Sequence, residues 1–374
     1  MKFWPFGKKS ALGHDEVLAA IAAGGHTLSG KNVTHKTALQ VAVAFCCARV
    51  ISEGVAQVPF KLFIDDGTNK KPATDHPLYD LLFRMPNDSA TSFQWRETFC
   101  FQTVFTGDSF SFINRGRRGE ILELTNIDPS KVEVKDPEFV GERPKYFLTS
   151  KEGQQQEFPA ESILHVKGPS WDGVVGLDAV KIAREAIGLS KAVEDSHAKM
   201  HANGVKSSGL LSVDGTLKKE QYEQLDEWVK KNFQGKNAFN TMILDRSAKF
   251  TQMAMSGVDA QHIETRRYQI EEVCRFFRVM PLMVMQADKA STYASAEQMF
   301  LAHVVHTLAP WYERIEQSID TQLLTKQERA DGYYVKFITQ GLLRGALKDT
   351  AEYLSKLSTN TLLCLLTHRA KVPE

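Results

Sequence analysis

The clearest periodic pattern in the chain lies between residues 258 and 324, where apolar positions recur at helical spacing on both sides of a polar loop. In the first part, VDAQHIETRRYQIEEVCRFF, the apolar residues share one face of a helix. Pro281 predicts the end of this helix, because the residue before a proline is disfavoured in the α region. The apolar face contains Ile263, Ile270, Cys274 and Phe277, widened by Val273 and Phe276.

A second helix is predicted after the loop PLMVMQADKAST. Ser295 and Gln298 have the spacing of a capping box, in which side chains satisfy the free amides of the first helical turn. Pro310 lies inside this helix, where a proline costs roughly 3 kcal/mol and predicts a kink or a break. Its apolar residues are Val304, Val305, Leu308, Trp311, Ile315, Ile319 and Leu323.

The preceding residues 37–175 mix short helices and short strands, which predicts an α+β domain. The segment 38–56 is apolar on almost every side, which predicts a buried helix. Arg49 and Glu53 interrupt it well before the ~20 apolar residues that a membrane span requires, so we expect no membrane-spanning segment here.

Residues 92–108 predict an amphipathic helix that ends at Gly107, since glycine is favoured directly after a helix. Alternating residues on either side of Arg115–Gly119 then predict a β-hairpin. Further strands are predicted at VPFKLFID, KVEVKD, KYFLTS and ILHVKG.

A long helix is predicted over 176–204, closed by Asn203 and Gly204. The residues 205–257 that follow read as strand, helix and strands, which predicts a small α/β unit. After the Pro310 helix, residues 333–339 predict another strand, and a last helix follows it. The apolar stripe of the 176–204 helix is Ile182, Ala186, Leu189 and Val193.

The charge balance argues against a high-affinity nucleic-acid binder. The chain has 374 residues, with 46 basic and 45 acidic side chains and a net charge of +1. Tight binding to phosphates needs a clustered excess of Lys and Arg, although a surface that DNA only slides past does not. The 5 cysteines form no CxxC pair, which favours reduced core thiols. Residues 1–36 have few apolar repeats and no signal-peptide pattern, so we expect a flexible arm.

The sequence contains no Walker A, G-x-S-x-G or HExxH motif. His197 and His201 lie one helical turn apart with Glu194 nearby, a spacing that can hold a zinc ion, but no second ligand cluster accompanies them. We therefore expect no metal, no cofactor and no catalytic residue. A metal-dependent enzyme built on these three side chains is kept as an alternative function.

Several segments together resemble tailed-bacteriophage portal proteins of the lambdoid type, from about residue 37 to about residue 360. The tail TLLCLLTHRAKVPE after Asn360 departs from the family pattern, so we expect a short or altered crown. The segments are IETRRYQIEEVCRFFRVMPLM, TYASAEQ, HTLAPWYERIEQSI, PLYDLLFRMPN, FQWRETF, GDSFSFINR, LTNIDPSKVEV and GLLRGALKDTAEYLSKL.

The resemblance implies an α+β portal fold with a wing, two long stem helices, a small α/β clip between them, and a long Pro-kinked helix. Carried onto this sequence, the divisions are a flexible arm at 1–36, the wing at 37–175, a stem helix at 176–204, the clip at 205–257, the other stem helix at 258–279, the tunnel loop at 280–294, the kinked spine helix at 295–326, and a wing strand with a short crown or C-terminal helix at 327–374.

The resemblance also implies the function. Portal proteins form a closed ring, dodecameric in the family, at one capsid vertex of the virion, and assemble in the host cytoplasm. Double-stranded DNA passes through the ring transiently and without sequence preference during packaging and ejection, and the ring joins head to tail. Expected partners are other copies of the chain, the terminase large subunit, a head–tail adaptor and the major capsid or scaffold protein, but no membrane. A capsid adaptor without a DNA channel is the other alternative.

Three groups of site residues follow from the resemblance. Pro310 is expected to kink the spine helix. The tunnel-loop residues expected to face DNA are Gln286, Lys289, Ser291 and Thr292. The clip residues expected to dock the packaging motor or the adaptor are Tyr222, Glu223, Glu227, Lys230 and Lys231.

Overall fold

The structure is a computed structural model that describes part of the chain. That part consists of residues 27–67, 69–135, 137, 142–150, 152–203, 209–212, 219–220, 222–224, 227, 249–252, 256–286 and 293–342. The described residues mix helices and strands, so the predicted α+β class is confirmed. No helix within them combines the length and the apolar character needed to cross a membrane.

The helices alternate with short strands along most of the chain, as the sequence predicts. The helices are α1 (His35–Ala38), α2 (Ala42–Ala56), α3 (Pro77–Phe83), α4 (Ser92–Thr106), α5 (Ala179–Ile182), α6 (Arg184–Asn203), α7 (Ser256–Phe277), α8 (Tyr293–His303), α9 (Ala309–Gln322) and α10 (Lys326–Ala330). The strands are β1 (Phe60–Asp65), β2 (Lys70–Pro72), β3 (Asp108–Arg115), β4 (Ile121–Ile127), β5 (Val132–Lys135), β6 (Lys145–Thr149), β7 (Gln155–Phe158), β8 (Ile163–Lys167), β9 (Gly209–Ser212), β10 (Lys249–Gln252) and β11 (Tyr333–Phe337).

The strands form small antiparallel sheets, ordered β11-β1-β2, β4-β3-β8, β5-β6-β7 and β10-β9. The predicted hairpin is confirmed as β3 and β4, and α4 ends at Gly107 with φ 88°, as predicted. Strand β7 was not predicted. Its residues QQEF lack an alternating apolar pattern, and the strand exists because it pairs with β6.

Helix α2 lies at the centre of the largest core, which confirms the buried helix predicted near 38–56. The Tyr312 hydroxyl donates to the Gly54 carbonyl oxygen at 2.9 Å, and Arg96 Nη2 donates to the Ala56 carbonyl oxygen at 3.0 Å. On another side, Cys47 Sγ lies 3.9 Å from Cys274 Sγ of α7. Helix α2 therefore fixes α4, α7 and α9 relative to one another.

The long helix predicted at 176–204 is two helices, because Ala183 caps α5 with ψ 5° before α6 begins. The predicted apolar stripe is also wrong at two positions. Ile182 and Leu189 are exposed, whereas Val180 and Ile187 are buried. Two apolar stripes run along this segment, and periodicity alone cannot tell which of them faces the core of its own subunit.

Part of the predicted N-terminal arm lies against α6. Lys31 Nζ contacts Asp195 Oδ2 at 2.6 Å, and the Leu28 amide donates to Glu185 Oε2 at 3.1 Å. The packing is close, since a Cβ at Gly188 would lie 2.6 Å from Thr27 Cγ2. Residues 1–26 lie outside the described part of the chain.

Candidate functional site at the helix–loop–helix junction

Helix α7 ends at Phe277, four residues before the proline that was predicted to stop it. Arg278 adopts the left-handed conformation with φ 56°, and the Val279 amide donates to the Cys274 carbonyl oxygen at 2.9 Å. This six-residue closure is typical of a Schellman motif, which usually has glycine at the left-handed position. A local backbone reversal at Arg278 therefore ends the helix before Pro281 can act.

The buried face of α7 agrees in part with the sequence. Val273, Cys274 and Phe277 are buried, and Ile270 is half-buried. Phe276, which was expected to widen this face, is instead 38% exposed. The side chain of Ile263 lies outside the description.

The predicted loop begins with a 3-10 turn, Pro281–Val284. Met285 follows in the left-handed conformation with φ 62° and is 92% exposed. The Gln286 amide donates a hydrogen bond to the Pro281 carbonyl oxygen at 2.9 Å. Gln286 is half-buried. Of the four predicted loop residues it alone is placed. The other three, Lys289, Ser291 and Thr292, lie outside the described residues.

Helices α8 and α9 are joined by a π-helical turn, Val304–Leu308, which ends just before Pro310. The helical path is continuous from 293 to 322, and Pro310 falls in the first turn of α9. A proline lacks an amide hydrogen and collides with the carbonyl four residues earlier in a regular helix. The wider π turn accommodates both effects, and such turns are frequent at functional sites.

The apolar face predicted for this helix is buried at Val304, Leu308 and Ile315, as expected. Val305 is an exception, because it is 48% exposed. Successive residues of a helix point about 100° apart, so only one of the two adjacent valines can share the buried face with Leu308.

Thr307, which the sequence did not single out, links the parts of the junction, and His303 is buried where α8 meets the π turn. Thr307 Oγ1 donates to the Arg278 carbonyl oxygen at 2.7 Å, which joins the π turn to the end of α7. His303, at the end of α8, is 3% exposed, and its Nδ1 has no hydrogen-bond partner among the described residues. Burial lowers the pKa of His303, so the neutral imidazole is favoured. No local pattern in the sequence identifies the Thr307 contact, because its partner lies 29 positions away in the chain.

A groove of about 370 Å³ opens beside this junction, between α5, the end of α7 and the start of α9. Its wall is mostly apolar and includes the exposed side chains Ile182 and Phe276 together with Pro310 and Trp311. The Arg314 guanidinium lies 4.9 Å from the Trp311 ring centroid at the edge of the groove. An isolated subunit thus leaves apolar surface uncovered at the point where its long helices meet.

The predicted clip residues are only partly placed. Strands β9 and β10 pair antiparallel, as the predicted α/β unit requires. Tyr222, Glu223 and Glu227 are exposed. Lys230 and Lys231, and the predicted strand NTMILD, lie outside the described residues.

The candidate metal ligands are not brought into a site by the described residues. Glu194 and His197 are half-buried on α6, and the side chain of His201 lies outside the description. Within the described part of the chain, no group of three or more His, Cys, Asp or Glu side chains is arranged to hold a metal ion.

Comparison with known proteins extends over almost the whole chain. Residues 42–368 match the sequence model of the family described as "Phage portal protein". The portal protein of Enterobacteria phage HK97 is 27% identical over 339 residues, which cover 90% of this chain and 79% of that protein. The probable portal protein of Streptomyces phage phiC31 is 31% identical over 353 residues, which cover 90% and 74%.

Solved structures share the fold. The crystal structure of an HK97 family phage portal protein from Corynebacterium diphtheriae superimposes with a TM-score of 0.59 at 16% identity, covering 84% of this chain and 99% of that one. A chain from the neck of a native gene transfer agent particle, computed with C12 symmetry, gives a TM-score of 0.61 at 21% identity, covering 91% and 93%.

Proposed function

This chain belongs to the phage portal protein family, and on that premise we propose that it forms the ring-shaped DNA channel at one vertex of a phage capsid. The ring serves genome packaging, head–tail joining and ejection, and the protein is a virion component of the portal vertex. The observation that carries this function is the family match over 42–368, which includes both long helices, the loop between α7 and α8, and the π turn. The family is a structural one, so the ATPase that drives packaging belongs to a partner.

A closed ring of twelve subunits is supported by two observations. Chains of the same fold come from neck particles computed with C6 and C12 symmetry. In this chain, Leu189 and Phe276 expose apolar surface on the long helices α6 and α7, and Ile182 does so on the short helix α5. In a ring, one face of each subunit packs against a different face of the next subunit. This heterologous contact, repeated by rotation, covers such apolar surface on every subunit.

The loop after α7 is proposed to face the DNA. Met285 and Gln286 follow the 3-10 turn at the start of this loop, and Met285 is almost fully exposed. Lys289 supplies one cation per subunit, with Gln286, Ser291 and Thr292 as polar neighbours. A single weak cation per subunit contacts phosphates transiently, which suits DNA that moves through the ring.

The clip is proposed to dock the terminase large subunit and later the head–tail adaptor, and the wing to contact the major capsid or scaffold protein. The exposed side chains of Tyr222, Glu223 and Glu227 support the first part. A Tyr222→Ala/Glu223→Lys variant should then retain less terminase large subunit in a pull-down. A Glu152→Lys variant, altered at an exposed turn outside the clip, is the control, and equal retention by both variants would remove these residues from the docking surface.

Electron microscopy of the purified chain, with particle mass measured alongside, tests the ring. We expect rings with a central hole slightly wider than B-form DNA and a mass that is an integral multiple of the subunit. Rings without such a hole would favour the adaptor alternative. A monomer with stoichiometric bound zinc would favour the enzyme alternative.

A further inference from the structure

A second concave site shares no lining residue with the groove at the helix junction. It has a volume of about 450 Å³ and lies between β6, β8, the end of α9 and the start of α10. We call it the basic cleft, because five cationic side chains line it. They are Arg115, Arg143, Lys167, Lys326 and Arg329.

Only one of these five charges has an ion-pair partner among the described residues. The acidic lining residue is Glu161, and it pairs with Arg143 at 3.4 Å. No other carboxylate in the described part of the chain lies within ion-pair distance of the remaining four cations. Like charges held around a concave surface repel one another and create a positive potential that attracts anions.

Two carboxylates on the same elements make other contacts. Glu328 accepts from the Thr325 amide at 2.7 Å to cap α10, and it also binds His76 Nε2 at 2.9 Å. Asp320 accepts from the Val335 amide at 2.8 Å, which ties α9 to β11. Both acids therefore stabilise the fold. Neither forms an ion pair with Lys326 or Arg329, and the charge of Arg329 acts on Asp320 only at longer range.

The floor of the basic cleft is held rigidly. His165 is 2% exposed, and its ring lies between Asp108 Oδ1 at 2.7 Å and the Tyr146 hydroxyl at 3.1 Å. Gln322 of α9 exchanges two hydrogen bonds with the backbone of His165, at 2.9 and 2.8 Å. These bonds fix α9 against β8, so the cations above the floor are carried by elements that cannot easily separate.

The floor also offers apolar surface. Half-buried Pro144 and Ala160 supply this surface, whereas Leu323 and Leu324 in the same lining are almost completely buried. Carboxylates fit the rim, because arginine binds them through two parallel hydrogen bonds. Short apolar side chains fit the floor. The cleft therefore has the two chemical features that recognise an acidic segment of a protein.

We propose that the basic cleft binds a short acidic segment of a partner protein, with at least two carboxylates and an apolar side chain between them. A cavity of this size accommodates a few side chains. A DNA duplex presents its phosphates on a convex surface that cannot enter the cleft. The proposal depends on the cleft of a single subunit and not on ring formation, so it can fail while the portal function stands.

The test is fluorescence anisotropy of the full chain with a short labelled peptide in which Glu and Leu alternate. We expect saturable binding that weakens as salt is raised, because salt screens the charges. A Lys326→Gln/Arg329→Gln variant should bind at least about tenfold more weakly, since it loses two charge-assisted contacts. Gln preserves helix propensity, and Arg115→Gln provides a second variant on a different element.

Three controls make the result decisive. A Lys70→Gln/Lys71→Gln variant removes the same charge from an exposed edge strand and should bind the peptide like the natural chain. Equal loss in this variant would show non-specific attraction and overturn the proposal. A peptide in which Gln replaces Glu should bind much more weakly. If it binds as tightly as the Glu and Leu peptide, the binding is apolar alone and the proposal is overturned. A labelled single-stranded oligonucleotide that binds more tightly, and is lost in the Lys326→Gln/Arg329→Gln variant, would assign the cleft to nucleic acid instead.

Discussion

Thr307 Oγ1 donates a 2.7 Å hydrogen bond to the carbonyl oxygen of Arg278, and this contact joins the π turn to the end of α7. The two residues are 29 positions apart, and the predicted DNA-facing loop lies between them. The carbonyl belongs to a left-handed residue, so it points away from the axis of its own helix. The contact therefore fixes the end of α7, where the loop begins, against the π turn that follows α8.

Replacing Thr307 with valine tests this contact. Thr307→Val keeps the side-chain shape and removes the hydroxyl, so the free energy of unfolding should fall by about 1 kcal/mol in urea denaturation. Thr321→Val is the matched control, because Thr321 is exposed and bonds only to its own helix. It should change stability by less than about 0.5 kcal/mol. Equal effects of the two changes would show that the Thr307 contact adds nothing specific.

Replacing Arg278 with glycine should make the protein more stable. At φ 56° a side chain costs roughly 1 kcal/mol, which glycine does not incur. Arg278→Gly should therefore raise the free energy of unfolding by about 1 kcal/mol, and Arg278→Ala should not, because it retains the Cβ. If alanine stabilises as much as glycine, the gain comes from removing the guanidinium and not from the backbone.

Stability should decline in mild acid, in part because of His303. Burial lowers the pKa of His303 below its ordinary value of 6.5. The unfolded chain then binds the proton more readily, so stability is complete above about pH 6.5 and is lost as the pH falls through the folded-state pKa. Burial also lowers the pKa of His165, which adds to the same loss.

A His303→Gln variant isolates this contribution. Between about pH 7.5 and pH 5.5 its free energy of unfolding should fall less than that of the natural chain. His306→Gln changes an exposed imidazole on the same π turn and serves as the control. An equally steep decline in all three proteins would exclude His303 as a source of the acid sensitivity.

Reversing the charge of Lys289 tests the proposed DNA contact. Lys289→Glu should leave rings intact and lower the amount of DNA packaged per particle, because a carboxylate repels the phosphates that pass the loop. The DNA content of purified particles and electron microscopy of the rings measure the two effects. Lys289→Arg keeps the charge and should package normally. Normal packaging by Lys289→Glu would remove this residue from the channel lining.

The sequence by itself determined the type of nearly every element described. Gly107 ends α4 in the left-handed conformation because glycine is favoured there, and the apolar face of α9 follows from its spacing. Pro310 marked the irregular point of the long helix, since a proline lacks the amide that a regular helix needs. The order of several family motifs then identified the fold as a whole. All of these signals are local or follow from one helical period.

Tertiary structure decided the features in which distant residues compete or cooperate. Arg278 ends α7 although no sequence signal favours an arginine at φ 56°, because the Thr307 hydroxyl and the following turn stabilise that conformation. Ile187 faces the core and Leu189 faces outward, although both belong to apolar stripes. The basic cleft needs β3, β6, β8, α9 and α10 to meet. Spacing along the chain fixes which residues share a face, whereas only packing determines what each face contacts.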